Sequence, residues 1–327
     1  MSFHPLYKSK EIHLGSHDSF EPTLGDDEQI FTMDIGDGME LGFMVGMAST
    51  ETDVLRVGFH AAKSPRYPRS HMFSPVNMAR ESGDSYILFS DPTLTLSDTT
   101  TLSWYLGTPD INPDDWMEYF VRRMMQVTGA KYLIIEGSSA GGFTAMRFGA
   151  RFKFSVAVPK IPQTDLFRYR EGPIANTMRA AGWTGLGYDG VMAECPQRFR
   201  IADIYNDPNW NRGNVVQYVQ NTGDGEHMRE HLTPFLAESG AKNEHVFSAF
   251  KGQFAISRPF TGSGHVAVPA DYWIAEGKFG LSRVRKMRAR PVNEESWVNP
   301  EGFTVPAKVQ EARNANISAH LPGNQNW

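Results

Sequence analysis

A glycine-rich run, Gly137-Ser138-Ser139-Ala140-Gly141-Gly142, follows the apolar stretch Tyr132-Leu133-Ile134-Ile135 and precedes a helix-like segment from Phe143 to Phe152. Few local patterns restrict a chain so strongly. A strand that reverses sharply into a helix leaves no room for a Cβ two positions to either side of the turn, which is what a Gly-x-Ser-x-Gly frame supplies. The residue presented at the apex is Ser139, not Ser138. A plain glycine-rich connection has the same pattern, so a chemical role depends on what partners the chain offers Ser139.

Strand and helix signals alternate on both sides of this turn. Ile30 to Met33 and Leu41 to Met47, separated by Asp34-Ile35-Gly36-Asp37-Gly38, predict an antiparallel hairpin at a sheet edge. Asp53 to Phe59, Ser85 to Phe89, Phe154 to Val158, Val215 to Val219 and Phe254 to Ser257 read as buried strands, with Pro159 closing the third of them. Asn112 as N-cap, Pro113 at the first helical position and Gly129 beyond the end predict a helix from Pro113 to Thr128. Its Met117, Phe120, Val121 and Met124 recur at helical spacing and read as core. Such alternation implies an α/β fold with a mainly parallel, doubly wound sheet whose ligands bind beyond the carboxyl ends of the strands.

The expected division is an N-terminal extension and edge hairpin over 1–52, a core over 53–290 and an irregular tail over 291–327 that contains Trp297 and Trp327. An insertion over 166–212, rich in Arg, Tyr and Trp, fits a cap above the sheet or a peripheral helical layer.

Composition removes several classes of function. The 327-residue chain carries a formal net charge of -5, so nucleic acid is not an expected partner. The basic segment 278–290 reads as a solvated helix face followed by tail, ahead of a surface for an anionic partner. The single cysteine, Cys195, rules out an intrachain disulfide, suits a reducing compartment and reads as structural. Met1 to Gly15 shows no secretory h-region, and no window approaches the ~20 apolar residues of a membrane span, so the expectation is a cytoplasmic protein. Zinc-type His/Cys clusters and P-loops are not visible, and nothing in the sequence reports an oligomeric state.

Three groups with complementary chemistry stand at strand ends, in the order Ser139, Asp224, His265. A serine hydroxyl is a weak nucleophile at neutral pH, so a neighbouring imidazole must take its proton and return one to the leaving group. His265 follows the last strand in Thr261-Gly262-Ser263-Gly264, whose glycines give the loop reach. His227, His231 and His245 lie in or near a helix after Asp224 and read as surface or packing residues, as does His60 in its loop. A carboxylate must orient the imidazole, and Asp224 in Asn221-Thr222-Gly223-Asp224-Gly225 is the first choice. Asp165 is the serious competitor, Glu226 a weaker third, and an Asp-Gly turn the structural alternative.

From Asp53 to Pro269 this arrangement resembles the α/β-hydrolase superfamily of serine esterase/acyltransferase type, whose acid and histidine follow the elbow serine in the same order. The resemblance implies Ser139 as nucleophile, His265 as general acid/base and Asp224 as orienter. It also implies an oxyanion hole from the backbone N–H groups of Ala140 and Ala61, although His60-Ala61-Ala62 departs from the His-Gly-Gly that is frequent there. Phe89-Ser90-Asp91-Pro92-Thr93-Leu94 and Trp104-Tyr105-Leu106-Gly107 are similar to hydrolase-like proteins associated with bacterial surface glycans, with Asp91 itself reading as a turn residue. The implied activity is cleavage of a carboxylic ester, small-molecule or glycan, through an acyl-enzyme, with no metal or organic cofactor. The alternatives are O-acyl transfer to a glycan hydroxyl, and a non-catalytic binding protein on a hydrolase scaffold that uses segment 278–290 and the tail.

Overall fold

A computed structural model describes residues 2–23, 25, 27–64, 71–207, 213–239 and 254–286. Its strands are β1 (Ser2–Phe3), β2 (Lys10–His13), β3 (Gln29–Gly36), β4 (Met39–Gly46), β5 (Val54–Phe59), β6 (Ser85–Phe89), β7 (Tyr132–Ser138), β8 (Val156–Lys160), β9 (Val215–Val219) and β10 (Phe254–Ser257). All belong to one sheet, in the order β1-β2-β3-β4-β6-β5-β7-β8-β9-β10. From β6 through β10 every neighbouring pair is parallel, and β4 joins that block antiparallel to β6. The doubly wound α/β reading holds.

Strands buried on both faces carry near-continuous apolar runs, and the side-chain alternation sorts those runs between two layers. Leu55, Val57, Leu133 and Ile135 point to a core that contains Met117, Phe120, Val121 and Met124 of α2 (Pro113–Thr128). Val54, Ile134, Val156 and Val158 face the opposite layer, with Leu281 and Val284. The remaining helices are α1 (Val76–Ser82), α3 (Ala140–Gly149), α4 (Glu171–Ala180), α5 (Gly187–Glu194), α6 (Ile201–Asn206), α7 (Gly225–His227), α8 (Thr233–Glu238) and α9 (Ala270–Lys286), which carries Leu281 and Val284.

Three sequence expectations change in detail. The β3–β4 hairpin is not at the edge, because β2 pairs parallel with β3 and β1 lies beyond it. Lys10-Glu11-Ile12-His13 is short, polar and partly exposed, so it lacks the apolar period by which a strand is found in a sequence. Pro159 does not end β8, which runs on to Lys160. Its missing N–H is accommodated where the ladder is interrupted: pairing with β9 passes from Ala157↔Val216 to Lys160↔Val219, while pairing with β7 is continuous. The helix after the glycine run starts at Ala140, so Ser139 is its first flanking residue.

Within 166–207, Leu166, Trp183, Phe199 and Ile201 share an apolar cluster with Leu102, Trp104, Phe143 and Met146. Segment 166–207 therefore packs onto α3 and the 102–107 turn, and residues 208–212 lie outside the described part. The tail 291–327, with Trp297 and Trp327, lies outside it too, as do His245 and residues 287–290 of the basic segment. In that segment Arg283 donates to Gln217 Oε1 at 2.6 Å and Arg285 to Asp53 Oδ1 at 2.6 Å, which ties both cations to the domain's own surface.

On the other face α9 lies flush against the sheet, where a Cβ on Gly280 would stand 2.9 Å from Gln217 Cγ and closer still to Val156. Gly280→Leu is expected to destabilise the fold by about 1–3 kcal/mol through overpacking. Thermal unfolding followed by circular dichroism checks this, and an unchanged midpoint would mean that α9 does not pack so tightly.

Candidate active site

Ser139 occupies φ 54° and ψ -117° between β7 and α3, a conformation that costs a non-glycine residue about 1–3 kcal/mol. Packing enforces it. A Cβ on Gly137 would collide with the Gly141 carbonyl, and one on Gly141 would lie 2.7 Å from the His60 carbonyl oxygen and nearer still to that of Phe59. The Ser139 N–H donates to the Lys160 carbonyl at 2.9 Å, and the Ser139 carbonyl accepts from Phe143 at 3.0 Å. The turn is thereby pinned to β8 on one side and to the end of β5 on the other. Ala140 opens α3, and Ala61 lies in the segment that follows His60.

Asp224 and His265, at the ends of β9 and β10, are brought together. His265 Nδ1 lies 2.7 Å from Asp224 Oδ2. Asn221 builds this junction, donating from Nδ2 to the Gly262 and Gly264 carbonyls while its Oδ1 accepts from the Gly223 and Thr261 N–H groups. Burial pushes the Asp224 carboxyl up, but the bonds from His265 and from the His227 backbone N–H, with the two imidazoles beside it, outweigh that and hold its pKa below the usual value.

Of the two roles expected of His227, packing or surface, the structure shows packing, but at the site itself: its side chain is buried against the same carboxylate, with Nδ1 3.1 Å from Asp224 Oδ2 but off the line of a well-formed hydrogen bond. Its ring stacks on His265 with centroids 4.2 Å apart and planes 22° apart. Helical geometry places the residue there, since Asp224 caps α7 and a side chain three positions on returns over the cap. An Asp-x-x-His spacing directly after a strand was the available signal. Burial pushes the His227 imidazole down to about 4.

Ser139 Oγ is not hydrogen-bonded to His265 among the described residues. It accepts instead from Gln163 Nε2 at 3.0 Å, and that nitrogen also lies 2.9 Å from His227 Nε2. Trp104 Nε1 donates to Gln163 Oε1 at 3.1 Å. Neither Gln163 nor Trp104 was singled out from the sequence as a site residue, and a glutamine in a loop carries no motif.

The other candidates are engaged elsewhere. Asp165 caps the turn Leu166–Arg168 and pairs with Arg168 and Arg200, and Glu226 pairs with Arg170 at the surface. His60 is buried and held by backbone groups, its Nε2 accepting from the Asp91 N–H at 2.9 Å. Asp91 receives Ser103 Oγ at 2.7 Å and the Tyr105 N–H at 2.8 Å, so it braces the 102–107 turn. His231 Nδ1 faces the Thr164 N–H. Cys195 is buried, which raises its thiol pKa and leaves it inert.

Asp224, His227 and His265 also form the set of donor atoms, among the described residues, that are close enough to hold a metal, all within 4.8 Å. A tetrahedral zinc site with ligand bonds of about 2.0 Å needs donors roughly 3.3 Å apart. At 2.7 Å, His265 and Asp224 are at hydrogen-bonding distance instead.

Among solved structures the fold is similar to brefeldin A esterase, a bacterial homologue of human hormone sensitive lipase, with TM-score 0.53 and 14% identity over 83% of this chain and 82% of that one. The chain has the α/β-hydrolase fold. It is also similar to the capsule O-acetyltransferase of Neisseria meningitidis serogroup A, with TM-score 0.50 and 15% identity over 82% of this chain and 97% of that one. A third likeness is to prolyl oligopeptidase B from Galerina marginata, bound to a 35mer hydrolysis and macrocyclization substrate, with TM-score 0.50 and 14% identity; 79% of this chain matches 36% of that protein. No family model and no curated protein sequence matches the chain. No helix among the described residues is long and apolar enough to cross a membrane.

Burial pushes three imidazoles far below the ordinary histidine value of 6.5, His60 and His227 to about 4 and His231 to about 3. The unfolded chain protonates them from about pH 6.5 downward while the native state does not, so stability is lost as pH falls through that range. Urea unfolding is expected to give a lower free energy at pH 5 than at pH 7. The fall should be smaller in His231→Asn, which has one fewer buried imidazole; an identical slope in that variant would remove His231 from the account.

Proposed function

We propose that this protein is a serine hydrolase that cleaves a carboxylic ester through an acyl-enzyme. Ser139 is the nucleophile, His265 the general acid/base and Asp224 the group that orients His265 and stabilises its protonated form. One observation carries the reading: an elbow serine at positive φ on the same rim as a buried carboxylate whose oxygen holds an imidazole at 2.7 Å. Attack by Ser139 Oγ on the ester carbonyl passes its proton to His265 Nε2, and the imidazolium returns it to the leaving alkoxide. Water attacking the acyl-enzyme then loses a proton to the same nitrogen, and the imidazolium returns it to Ser139 Oγ as the acyl–oxygen bond breaks and the acid leaves. Because Oγ accepts from Gln163, its own proton stays available for His265, whose side chain is 38% exposed on a loop with Gly262 and Gly264 at positive φ. Catalytic hydrogen bonds of this kind are often long in free enzymes and tighten with substrate bound. The backbone N–H groups of Ala140 and Ala61 are the oxyanion donors in this reading, since the elbow touches the end of β5 at Gly141.

The likeness to the capsule O-acetyltransferase spans nearly all of that protein, which favours a second reading, O-acyl transfer to a glycan hydroxyl. Both share the acyl-enzyme and differ in whether water or an alcohol resolves it. A reducing, cytoplasmic setting suits the lone Cys195 in either case.

A fluorophosphonate probe is expected to label Ser139, with the adduct mapped by mass spectrometry; absence of label there would sink both readings. Turnover of p-nitrophenyl acetate that rises with a glycan acceptor would select transfer, and acceptor-independent turnover hydrolysis. Asp224→Asn should lower turnover by about a thousandfold or more, whereas Asp165→Asn should stay within about an order of magnitude of wild type. The reverse ranking would move the acid to the loop after β8.

A further inference from the structure

Gln163 is fully buried in the loop after β8, and all of its polar atoms are directed. Trp104 Nε1 is a donor only, so the atom facing it at 3.1 Å must be the amide oxygen. The amide nitrogen is then fixed between Ser139 Oγ and His227 Nε2. It carries two hydrogens and no acceptor lone pair, so both neighbours must accept. His227 Nε2 is therefore unprotonated, and the proton of the neutral ring sits on Nδ1, which looks at Asp224 Oδ2 from 3.1 Å. A tryptophan 59 positions from Gln163 in sequence thus bears on the tautomer of an imidazole through the Gln163 amide.

We propose that Gln163 and His227 are a positioning pair for the Ser139 reaction: Gln163 holds Oγ as an acceptor, and neutral His227 holds Gln163 while sharing Asp224 with His265. This deepens the acyl-enzyme reading and rests on it. The Gln163 N–H fixes the serine rotamer and supports negative charge as Oγ loses its proton. The second imidazole on Asp224 draws on the same oxygen as His265 and so moderates that carboxylate's hold on the His265 proton.

The pair works only while His227 is neutral. A proton on Nε2 would set donor against donor at Gln163 and stack a cation 4.2 Å from the His265 ring when that ring is charged. The groups facing His227 come from several elements. Asp224 and Glu226 lie on its own turn, His231 has its ring 4.9 Å away, Tyr169 of segment 166–207 stands at 6.2 Å, and His265 lies across the stack. Arg170, beside Tyr169, is paired with Glu226. Burial and the His265 charge oppose protonation, while the two carboxylates favour it; burial dominates and keeps the ring neutral above about pH 4.

The test uses the full chain as wild type, Gln163→Leu, His227→Phe and His227→Gln, whose side-chain carbonyl can replace the Nε2 acceptor. Nitrogen-15 NMR of the wild type should show His227 as the Nδ1–H form, and Gln163→Leu should weaken that preference, leaving only the Asp224 carboxylate to favour it. An Nε2–H ring in the wild type would overturn the pairing without any reference to activity. Fluorophosphonate labelling of Ser139 should slow by about tenfold or more in Gln163→Leu and His227→Phe, the worth of one hydrogen bond to a developing charge. The KM for p-nitrophenyl acetate should hold, and His227→Gln should recover much of the labelling rate. Loss of the second imidazole N–H beside Asp224 should move the acid limb of kcat/KM in His227→Phe upward by about half a pH unit. Wild-type labelling rates and pH profile in both disruptive variants would leave the pair a packing feature and overturn the proposal, with the hydrolase reading intact. A wild type that never labels at Ser139 would overturn the hydrolase reading, and this proposal with it.

Discussion

Gly141 packs against the carbonyl oxygens of Phe59 and His60 so closely that no side chain fits between the elbow and the end of β5, and Gly137 is closed off by Gly141 in the same way. These contacts force Ser139 into its positive-φ turn and aim α3 back across the sheet. They also bring the segment after His60 beside the elbow, so the positions of Ala61 and Ala140 follow from one steric constraint. The strain at Ser139 is held by a ladder bond to Lys160 on one side and the first helical bond of α3 on the other.

Buried charge keeps that frame from relaxing. Arg147 of α3 pairs with Asp114 of α2 at 2.8 Å and donates to the carbonyls of Trp104 and Tyr105, two consecutive non-glycine residues at positive φ. Removing one partner of such a pair costs about 3–5 kcal/mol, because the other is left charged and buried. The turn that carries Trp104 is thereby bolted to both helices, and Trp104 in turn orients Gln163. Beneath the sheet Glu136, next to the elbow, meets Arg56 and Lys160, and Lys160 stands 2.8 Å over the Trp273 ring. Burial drives the Lys160 ammonium pKa well down.

Asp224 sits where these restraints converge from the other half of the sheet. It accepts from the His227 backbone N–H while one oxygen faces two stacked imidazoles. A single carboxylate cannot serve two charged rings equally, and burial resolves the competition: His227, the enclosed ring, stays neutral, while His265 keeps the better bond and the exposure. Tyr169 approaches the enclosed pair from the segment after Asp165, at 6.2 Å from His227 and 6.1 Å from His231, so that segment reaches the rim of the site.

What the sequence determined by itself was local. The bounds of α2 follow from Asn112, Pro113 and Gly129, those of β9 and β10 from short apolar runs with sharp stops, and the elbow from glycines at fixed offsets. The meeting of Asp224 with His265 was legible too, because each ends a strand and parallel strands present their ends on one rim. Strand β2 was not, since its pairing with β1 and β3 supplies the order that its composition lacks. The meeting of Gln163 with His227 belongs wholly to the tertiary structure. They lie 64 positions apart, and a glutamine in a loop carries no motif. Only the folded turn at Trp104 decides which end of the Gln163 amide meets Ser139, because an indole N–H can donate and cannot accept.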